Sequence, residues 1–212
     1  MARRGRPPKQ QENGDKRTEV LEVATRYFLA HGYDGASINA MARDSGISKE
    51  SIYRYFRSKD DLFKAVIEQE LSLYQQRLEA ATDLDTHADL ETALLDTAEN
   101  LLLTVMSDRT LALRRLVFQV SLRSPDVGAL YYRIGPTAAY ERLEALFAQY
   151  GLNYRISGMS LARHFTAMLL HAFSLQRDCG LRPAPTVRTA RKYGREVVSD
   201  FLRAFGPVGK SS

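Results

Sequence analysis

The stretch from Gly46 to Lys59, GISKESIYRYFRSK, carries the side chains best suited to contact a nucleic acid. At a helical period, Ile52 and Phe56 lie four residues apart on one face, which predicts that this face packs inward. The other face carries hydroxyl, cationic and aromatic side chains, namely Ser48, Lys49, Ser51, Tyr53, Arg54 and Tyr55. Such groups hydrogen-bond phosphates and base edges. For this stretch alone, an ordinary solvated surface helix is the alternative.

The residues before this stretch predict how it is held. A helix is expected to start at Asp15 and to end at Gly32, because glycine readily adopts the left-handed conformation that ends helices. A second, short helix is expected after Ser37, and the recognition stretch follows after Ser48, since serine is a favourable N-cap residue. Gly46 lies between them, where a tight turn is needed. Two short helices joined by a glycine turn are the layout of a helix-turn-helix unit, whose second helix enters the DNA major groove.

Residues 16–63 resemble the N-terminal DNA-binding domain of the TetR/AcrR family of transcriptional regulators. The resemblance rests on Ala24, Phe28, Gly32, Ser37, Met41, Ala42, Gly46, Ile47, Ser48, Ile52, Tyr53, Phe56, Lys59 and Leu62. It implies that Tyr53, Lys59 and Ser37 grip phosphates. The candidates for contacts with base edges are Ser48, Lys49, Ser51, Arg54 and Tyr55. The family usually has a small residue or proline at position 50 and often an aromatic residue at position 54, so Glu50 and Arg54 depart from its pattern.

The basic charge of the chain is concentrated at its N-terminal end. Residues 1–60 hold 12 Lys and Arg against 8 Asp and Glu, whereas the whole chain has a net charge of only +5. Residues 1–14 form an expected flexible basic arm, in which Arg3, Arg4 and Arg6 are candidates for DNA contacts. The Arg-Gly-Arg-Pro sequence resembles an AT-hook, which lays arginines into the minor groove. A solvated basic tail is the alternative.

Composition excludes several classes of protein. The single cysteine, Cys179, allows no internal disulfide and fits a reducing compartment. The sequence has no apolar run of about 18 residues and no hydrophobic leader, which predicts a cytoplasmic protein. No metal cluster, phosphate-binding glycine loop or nucleophile–base arrangement is evident, so the expectations are no cofactor, no metal and no catalytic residue. For Cys179, redox sensing and an inert small side chain are both open.

The remaining sequence predicts an all-α protein of about nine helices. The expected domains are the arm at 1–14, the helix-turn-helix domain at 15–60 and a helical regulatory and dimerisation domain at 61–208. A long linking helix is expected at 60–81. The later helices are expected at about 87–106, 109–123, 125–150, 157–178 and 186–205, with a kink or interruption at Pro136.

The last two of these helices are rich in apolar residues, which predicts that each is buried on two sides. By the family resemblance, they form a four-helix bundle in a homodimer, and the two-fold symmetry implies a palindromic operator. The resemblance also implies a pocket for an unknown small-molecule effector. The tentative pocket residues are Asn100, Gln119, Arg123, Tyr132, His164, Phe165 and His171, with Tyr131 and Phe173 on the same helices. For each of them, an ordinary structural role is the alternative.

The sequence therefore predicts a dimeric, sequence-specific DNA-binding regulator, most simply a repressor that a ligand releases. Two alternatives remain open at this point. One is a ligand-independent or architectural DNA-binding protein, which a fully packed C-terminal core would favour. The other is an all-α enzyme with a merely structural N-terminal unit.

Overall fold

The computed structural model describes residues 9–81, 89–150 and 156–205, and within them all regular structure is helical. This confirms the all-α prediction. Arg3, Arg4 and Arg6 lie outside the described residues. In chain order the elements are α1 (Lys9–Gly35), α2 (Ile38–Ser45), α3 (Lys49–Tyr55), α4 (Lys59–Ala81), α5 (Leu90–Val105), α6 (Asp108–Ser121), α7 (Pro125–Tyr132), a π-helical turn (Arg133–Thr137), α8 (Ala138–Gln149), α9 (Gly158–Asp178) and α10 (Val187–Phe205).

The predicted caps position the N-terminal helices. The Ser37 hydroxyl accepts a hydrogen bond from the Ala40 amide at 3.1 Å, and Ser48 does the same for the Ser51 amide at 3.1 Å. Gly46 ends α2 with φ +74°, a conformation that glycine adopts without strain. Gly32 has φ +73° and interrupts α1 where the helix was expected to end. The start of α1 differs, because the helix begins at Lys9 and includes residues 9–14 of the expected arm.

Pro136 interrupts its helix as expected, and the interruption takes the form of the π-helical turn. Proline has no amide hydrogen, so a regular α-helical bond cannot form there. Within the same turn, the Ile134 carbonyl accepts a hydrogen bond from the Gln75 side chain at 3.0 Å. Since α7 and α8 continue on either side of this turn, they form one bent helix. Counted in this way, the described residues form nine helices.

Two apolar cores are present, and one of them joins the N-terminal unit to the rest. The N-terminal core contains Phe28, Ile52 and Phe63 together with residues of α6 and α7, such as Val117 and Val127. The second core is built from α4, α5, α8, α9 and α10. Helices α6 and α7 therefore hold the N-terminal unit against the rest of the described chain.

The last helix differs from its prediction. Most apolar side chains of α10 face the chain's own core, where Val197, Val198 and Phe201 are buried, whereas Val187 at its start is 47% exposed. Its opposite face is exposed and mostly charged, with Arg188, Arg191, Lys192, Arg195, Glu196, Asp200 and Arg203. The expectation of a second apolar face is wrong for α10, because its apolar residues form one stripe. By contrast, α9 exposes Leu175 in addition to its buried stripe.

Candidate nucleic-acid interface and regulatory cavity

Helix α3 presents the face that its sequence predicts. Ile52 and Phe56 are buried, at 0% and 2% exposure, and fix the helix against α1 and α2. Lys49, Tyr53 and Arg54 are exposed. The Lys49 ammonium lies 5.7 Å from the centre of the Tyr53 ring, so these two side chains form one cationic and aromatic surface.

The serines that are predicted to contact DNA also include helix caps. Ser48 donates a hydrogen bond to the Ser51 hydroxyl at 2.9 Å while it caps α3. Ser37 and Ser48 are exposed, whereas Ser51 and Tyr55 are half-buried at the edge of the face. All of these residues except Ser37 lie on or directly before α3. Ser37 lies at the start of α2. The N-terminal end of α2 and the polar face of α3 are therefore both exposed.

Lys59 has a structural role that its sequence position did not reveal. Its ammonium donates hydrogen bonds to the carbonyls of Tyr33 and Ala36, at 3.0 and 3.1 Å. It also lies 4.3 Å from the centre of the Tyr33 ring. The side chain thereby links the start of α4 to the C-terminal end of α1. Because an ammonium has three N–H donors, one remains for a phosphate.

A cavity of about 340 Å³ lies between the N-terminal unit and the second core. Its wall is contributed by α4, α5, α6, α7, the π-helical turn, α8 and α9. Most of this wall is apolar. The polar side chains that line it are Tyr74, Thr110, Arg114, Tyr131, Tyr132, Tyr140 and Thr166. The size and the mostly apolar wall with a few polar groups are typical of a small-molecule site.

Three of the cavity phenols lie close together. Burial raises the pKa of Tyr74, and the neighbouring phenols of Tyr131 and Tyr140 raise it further. Burial also raises the pKa of Tyr131, while the cation of Arg114 lowers it. These phenols are therefore neutral hydrogen-bonding groups at neutral pH.

Arg114 brings a positive charge to the edge of this cavity. Its side chain is largely buried and forms an ion pair of 2.9 Å with Asp178. A second cleft, of about 480 Å³, shares Val105, Arg114, Tyr140, Thr166 and Leu170 with the cavity and adds residues of α9. The two spaces therefore adjoin, and Arg114 lies at their common wall.

The tentative pocket residues are dispersed in the structure. Tyr131 and Tyr132 line the cavity, and His171 lines the adjoining cleft. Asn100 lines a separate surface cleft. Phe165 is fully buried in the second core, because it packs edge-on against Phe201.

The remaining tentative residues lie on the surface. Gln119 is exposed on α6. His164 is also exposed, and its ring nitrogen lies 2.6 Å from the Ser160 carbonyl. Arg123 donates two hydrogen bonds to Asp34, at 2.8 and 3.0 Å. None of these three lines the cavity.

Sequence reasoning missed most of the cavity. Tyr74, Arg114, Tyr140 and Thr166 were not expected there, because each comes from a different helix. One feature of the sequence could have pointed to Tyr74 and Tyr140. Each places a phenol on the apolar side of an amphipathic helix. Buried phenols need partners, so they indicate a polar site more often than phenylalanine does.

The cavity is in direct contact with the N-terminal unit. Leu71 of α4 and Val117 of α6 line the cavity and also belong to the N-terminal core. Ion pairs reinforce the same junction. Arg123 pairs with Asp34 of α1, and Lys64 of α4 pairs with Asp126 of α7.

Other kinds of site are not found in the described ranges. No group of three or more histidine, cysteine, aspartate or glutamate side chains there is arranged to hold a metal ion. Among the helices described, none has both the length and the apolar character of a membrane span.

Comparisons with protein families match both parts of the chain. Residues 20–66 match the model described as bacterial regulatory proteins of the tetR family. Residues 92–207, over half of the chain, match the model of the C-terminal domain of AefR-like transcriptional repressors.

Two curated relatives match part of the chain. A helix-turn-helix-type transcriptional regulator of Staphylococcus aureus is 31% identical over 77 residues, which are 36% of this chain and 41% of the relative. The transcriptional repressor AcnR of Corynebacterium glutamicum is 40% identical over 57 residues, which are 25% of this chain and 30% of AcnR. The aligned part thus spans less than half of each of these relatives.

Solved structures match almost the whole chain. A TetR-family transcriptional regulator from Mesorhizobium loti has a TM-score of 0.80 at 25% identity, covering 92% of this chain and 98% of its own. The flavonoid-responsive regulator FrrA has a TM-score of 0.74 at 28% identity, with the same coverage of 92% and 98%.

Proposed function

We propose that this chain, which belongs to the TetR family of bacterial regulatory proteins, is a homodimeric repressor that a small molecule releases from its operator. Its place in that family makes it a DNA-binding transcriptional regulator. The observation that carries the rest of the proposal is the double role of Leu71 and Val117, which belong to both the cavity wall and the N-terminal core. The DNA partner also supports a cytoplasmic location.

In the proposed complex, α3 lies in the major groove. Lys49 and Arg54 are the exposed cations of its face, and either can read guanine through O6 and N7, worth about 1–3 kcal/mol of discrimination. Ser48, Ser51 and Tyr55 lie beside them as further candidates for base contacts.

Phosphate contacts hold this face in register. Tyr53 is 45% exposed. Its hydroxyl has no hydrogen-bond partner among the described residues, so it can donate to a phosphate oxygen. Lys59 approaches the backbone with its remaining N–H. Ser37 and the start of α2 reach the flanking phosphates, because helix N-termini offer free amides to anions. The arginines Arg3, Arg4 and Arg6 would extend the contact into the minor groove.

We propose that two copies associate through α9 and α10. Support comes from apolar side chains at the junction of these helices. Leu175, Leu181 and Val187 are exposed by 57%, 79% and 47%. They lie at the end of α9, in the connection and at the start of α10. A two-fold dimer presents two α3 helices to half-sites about one helical turn apart, ~34–36 Å, or a multiple of it.

Release follows from the cavity's position. A ligand that fits the cavity best when α6 and α4 have shifted would favour that arrangement, and the shift would reach the N-terminal core through Leu71 and Val117. The two α3 helices would then no longer match the operator spacing. The ligand must bind the two arrangements with different affinities, because equal affinity shifts nothing. FrrA, the 28% identical structural relative, is described as flavonoid-responsive, which supports a small-molecule response here.

The cavity also separates this proposal from the two alternatives. A ligand-independent DNA-binding protein needs no space of about 340 Å³ beside its reading unit. For an all-α enzyme, the cavity offers phenols and one paired guanidinium, which form no nucleophile–base pair.

The test is selection of bound duplexes from a random pool, followed by binding measurements on the selected palindrome. Tyr53→Phe should weaken binding to all sequences similarly, whereas Arg54→Ala should relax the preference at one base pair. Binding should also weaken steeply with salt. A non-palindromic selected site, or an affinity that does not change with salt, would contradict the proposal.

A further inference from the structure

Two phenols of the cavity, the buried Tyr74 and the half-buried Tyr131, lack hydrogen-bond partners among the described residues. Tyr74 is only 8% exposed and lines the cavity. Neither its hydroxyl nor that of Tyr131 has a hydrogen-bond partner among the residues that the structure describes. A buried hydroxyl without a partner is unfavourable, because it has lost its hydrogen bonds to water. Two such groups on one wall indicate that an oxygen or nitrogen atom of a ligand belongs between them.

The common wall with the outer cleft has surplus positive charge. Asp178 is shared by Arg114 at 2.9 Å and Arg115 at 3.6 Å, so two guanidinium groups face one carboxylate. The Ser174 hydroxyl also donates to Asp178, at 3.2 Å. Arg163 lines the outer cleft as well. One carboxylate is therefore shared by two guanidinium groups, and cationic N–H groups remain.

Arg114 keeps donors that face no protein acceptor. A guanidinium has five N–H donors. Only one hydrogen bond from Arg114, from Nη2 to Asp178, is formed among the described residues. Because the side chain is largely buried, the remaining donors act in a medium of low dielectric, where an anion is bound more strongly than in water.

Aromatic rings form part of the remaining wall. Phe118 packs edge-on against Tyr131 with ring centres 6.2 Å apart, and Tyr132 also lines the cavity. Such edges and faces favour a planar aromatic ligand. A cavity of about 340 Å³ would hold on the order of ten waters, which corresponds to a compact molecule of one to three rings.

We propose that the effector is an oxygenated aromatic acid, with one hydrogen-bonding oxygen on its ring system and one anionic group. The ring oxygen lies between Tyr74 and Tyr131, and the anionic group lies at Arg114. This inference rests on the proposed function only in taking the cavity as the effector site. It excludes a cationic effector, because the only carboxylate beside Arg114 among the described lining residues is already shared.

The first experiment measures the affinity of the full-length protein, without DNA, for three matched probes by titration calorimetry. The probes are 4′-hydroxybiphenyl-4-carboxylate, biphenyl-4-carboxylate without the hydroxyl, and 4′-hydroxybiphenyl-4-carboxamide without the charge. The hydroxylated acid should bind best. Losing the charge should weaken binding roughly ten- to a hundredfold, and losing the hydroxyl roughly three- to tenfold.

Two variants assign these differences to residues. Tyr74→Phe should reduce the preference for the hydroxylated acid, to which the Tyr131 hydroxyl still contributes, without lowering the thermal stability of the free protein, since the Tyr74 hydroxyl has no partner to lose. Tyr193→Phe is its control, because this half-buried tyrosine lies on α10 and does not line the cavity. Arg114→Gln should bring the ratio of acid to amide affinity close to one. A general loss of structure would weaken all three probes and leave that ratio unchanged.

The outcomes distinguish this inference from the proposed function. Equal affinities for acid and amide, or no binding of any probe, would overturn the inference, while operator binding would still test the repressor. If the acid binds with the expected ratios but operator affinity does not change, the ligand class stands and the release mechanism is wrong.

Discussion

Lys59→Met tests two roles of one side chain. Lys59 hydrogen-bonds the carbonyls at the end of α1, and it is proposed to contact a DNA phosphate. The substitution keeps the length and apolar character of the side chain but removes the ammonium. The carbonyls of Tyr33 and Ala36 then lose donors at 3.0 and 3.1 Å, and the Tyr33 ring loses a cation at 4.3 Å.

The expected loss of stability follows from these contacts. A hydrogen bond from a charged donor contributes about 1.5–3 kcal/mol when buried, but Lys59 is half-buried and solvent can replace part of it. We therefore expect Lys59→Met to lower the free energy of unfolding by about 2 kcal/mol. For a chain of this size, that lowers Tm by about 4–8 °C. Thermal unfolding followed by circular dichroism measures it.

The DNA role has its own readout. If the remaining N–H contacts one phosphate, the slope of log K against log salt concentration should become less steep by ~0.9 per protomer, or ~1.8 per dimer. Fluorescence anisotropy with the selected duplex, at a temperature where both proteins are folded, gives this slope. Lys192→Met is the matched control, because it removes the same charge from the exposed face of α10.

Each role can fail alone. An unchanged slope with a lower Tm would show that Lys59 only hydrogen-bonds the end of α1 and that the phosphate contact is wrong. A reduced slope with an unchanged Tm would contradict the stabilising role of the two carbonyl contacts. A slope that falls equally in Lys192→Met would mean that net charge, and not position, sets the salt dependence.

Three further substitutions test the fold around the proposed sites. Gly46→Ala should lower Tm by about 2–4 °C, because a side chain at φ +74° meets no atom within 4 Å and only backbone strain of about 1 kcal/mol remains; an unchanged Tm would contradict this. Phe165→Ala should destabilise the protein by about 3–5 kcal/mol, as expected for a fully buried core ring, while the acid-to-amide ratio of probe affinities stays unchanged; a changed ratio would return Phe165 to the pocket. The hydrogen bond from Lys64 lowers the pKa of Asp126, so this carboxylate stabilises the fold above its unfolded pKa of about 3.9 and loses that effect as pH falls further. In Asp126→Asn, Tm should therefore fall less on acidification than in the wild type, and parallel profiles would refute the effect.

The parts of the fold predicted correctly are those with local causes. Ser37 and Ser48 cap their helices because a serine hydroxyl reaches an amide three residues ahead, and both partners lie within one short segment. Gly46 follows from backbone sterics at one residue. The buried and exposed faces of α3 follow from helical periodicity over seven residues.

The parts that were missed have causes distributed over the chain. The bend at Pro136 was predictable, but its π-helical form involves the contact of Gln75 with Ile134, 59 residues away. For α10, apolar content alone predicted a second buried face, whereas the arrangement of those residues gives one stripe. A count of apolar residues cannot replace their angular distribution around the helix.

The cavity illustrates the same limit most clearly. Tyr74, Arg114 and Tyr140 come from three helices, and nothing in their local sequence brings them together. The histidines His164 and His171 attracted attention because polar residues are unusual on apolar helices, yet both are exposed. An exposed histidine needs no special partner. A buried phenol without one is the stronger signal, and burial is not visible in a single sequence.

The position of Val117 supports the proposal that a small ligand affects DNA contacts at a distance. Its side chain is fully buried, lines the cavity and packs in the core that holds α3. Close-packed interiors transmit displacements because they have little free volume to absorb them. Leu71 provides the same connection from α4, the helix that follows Lys59. A ligand that moves either wall therefore changes the packing beneath α3, and a shift from 1% to 99% of one arrangement requires an affinity difference of about 5.5 kcal/mol. The proposed contacts of an anionic group with Arg114 and of an oxygen with the two phenols contribute to that difference only to the extent that the ligand makes them better in one arrangement than in the other.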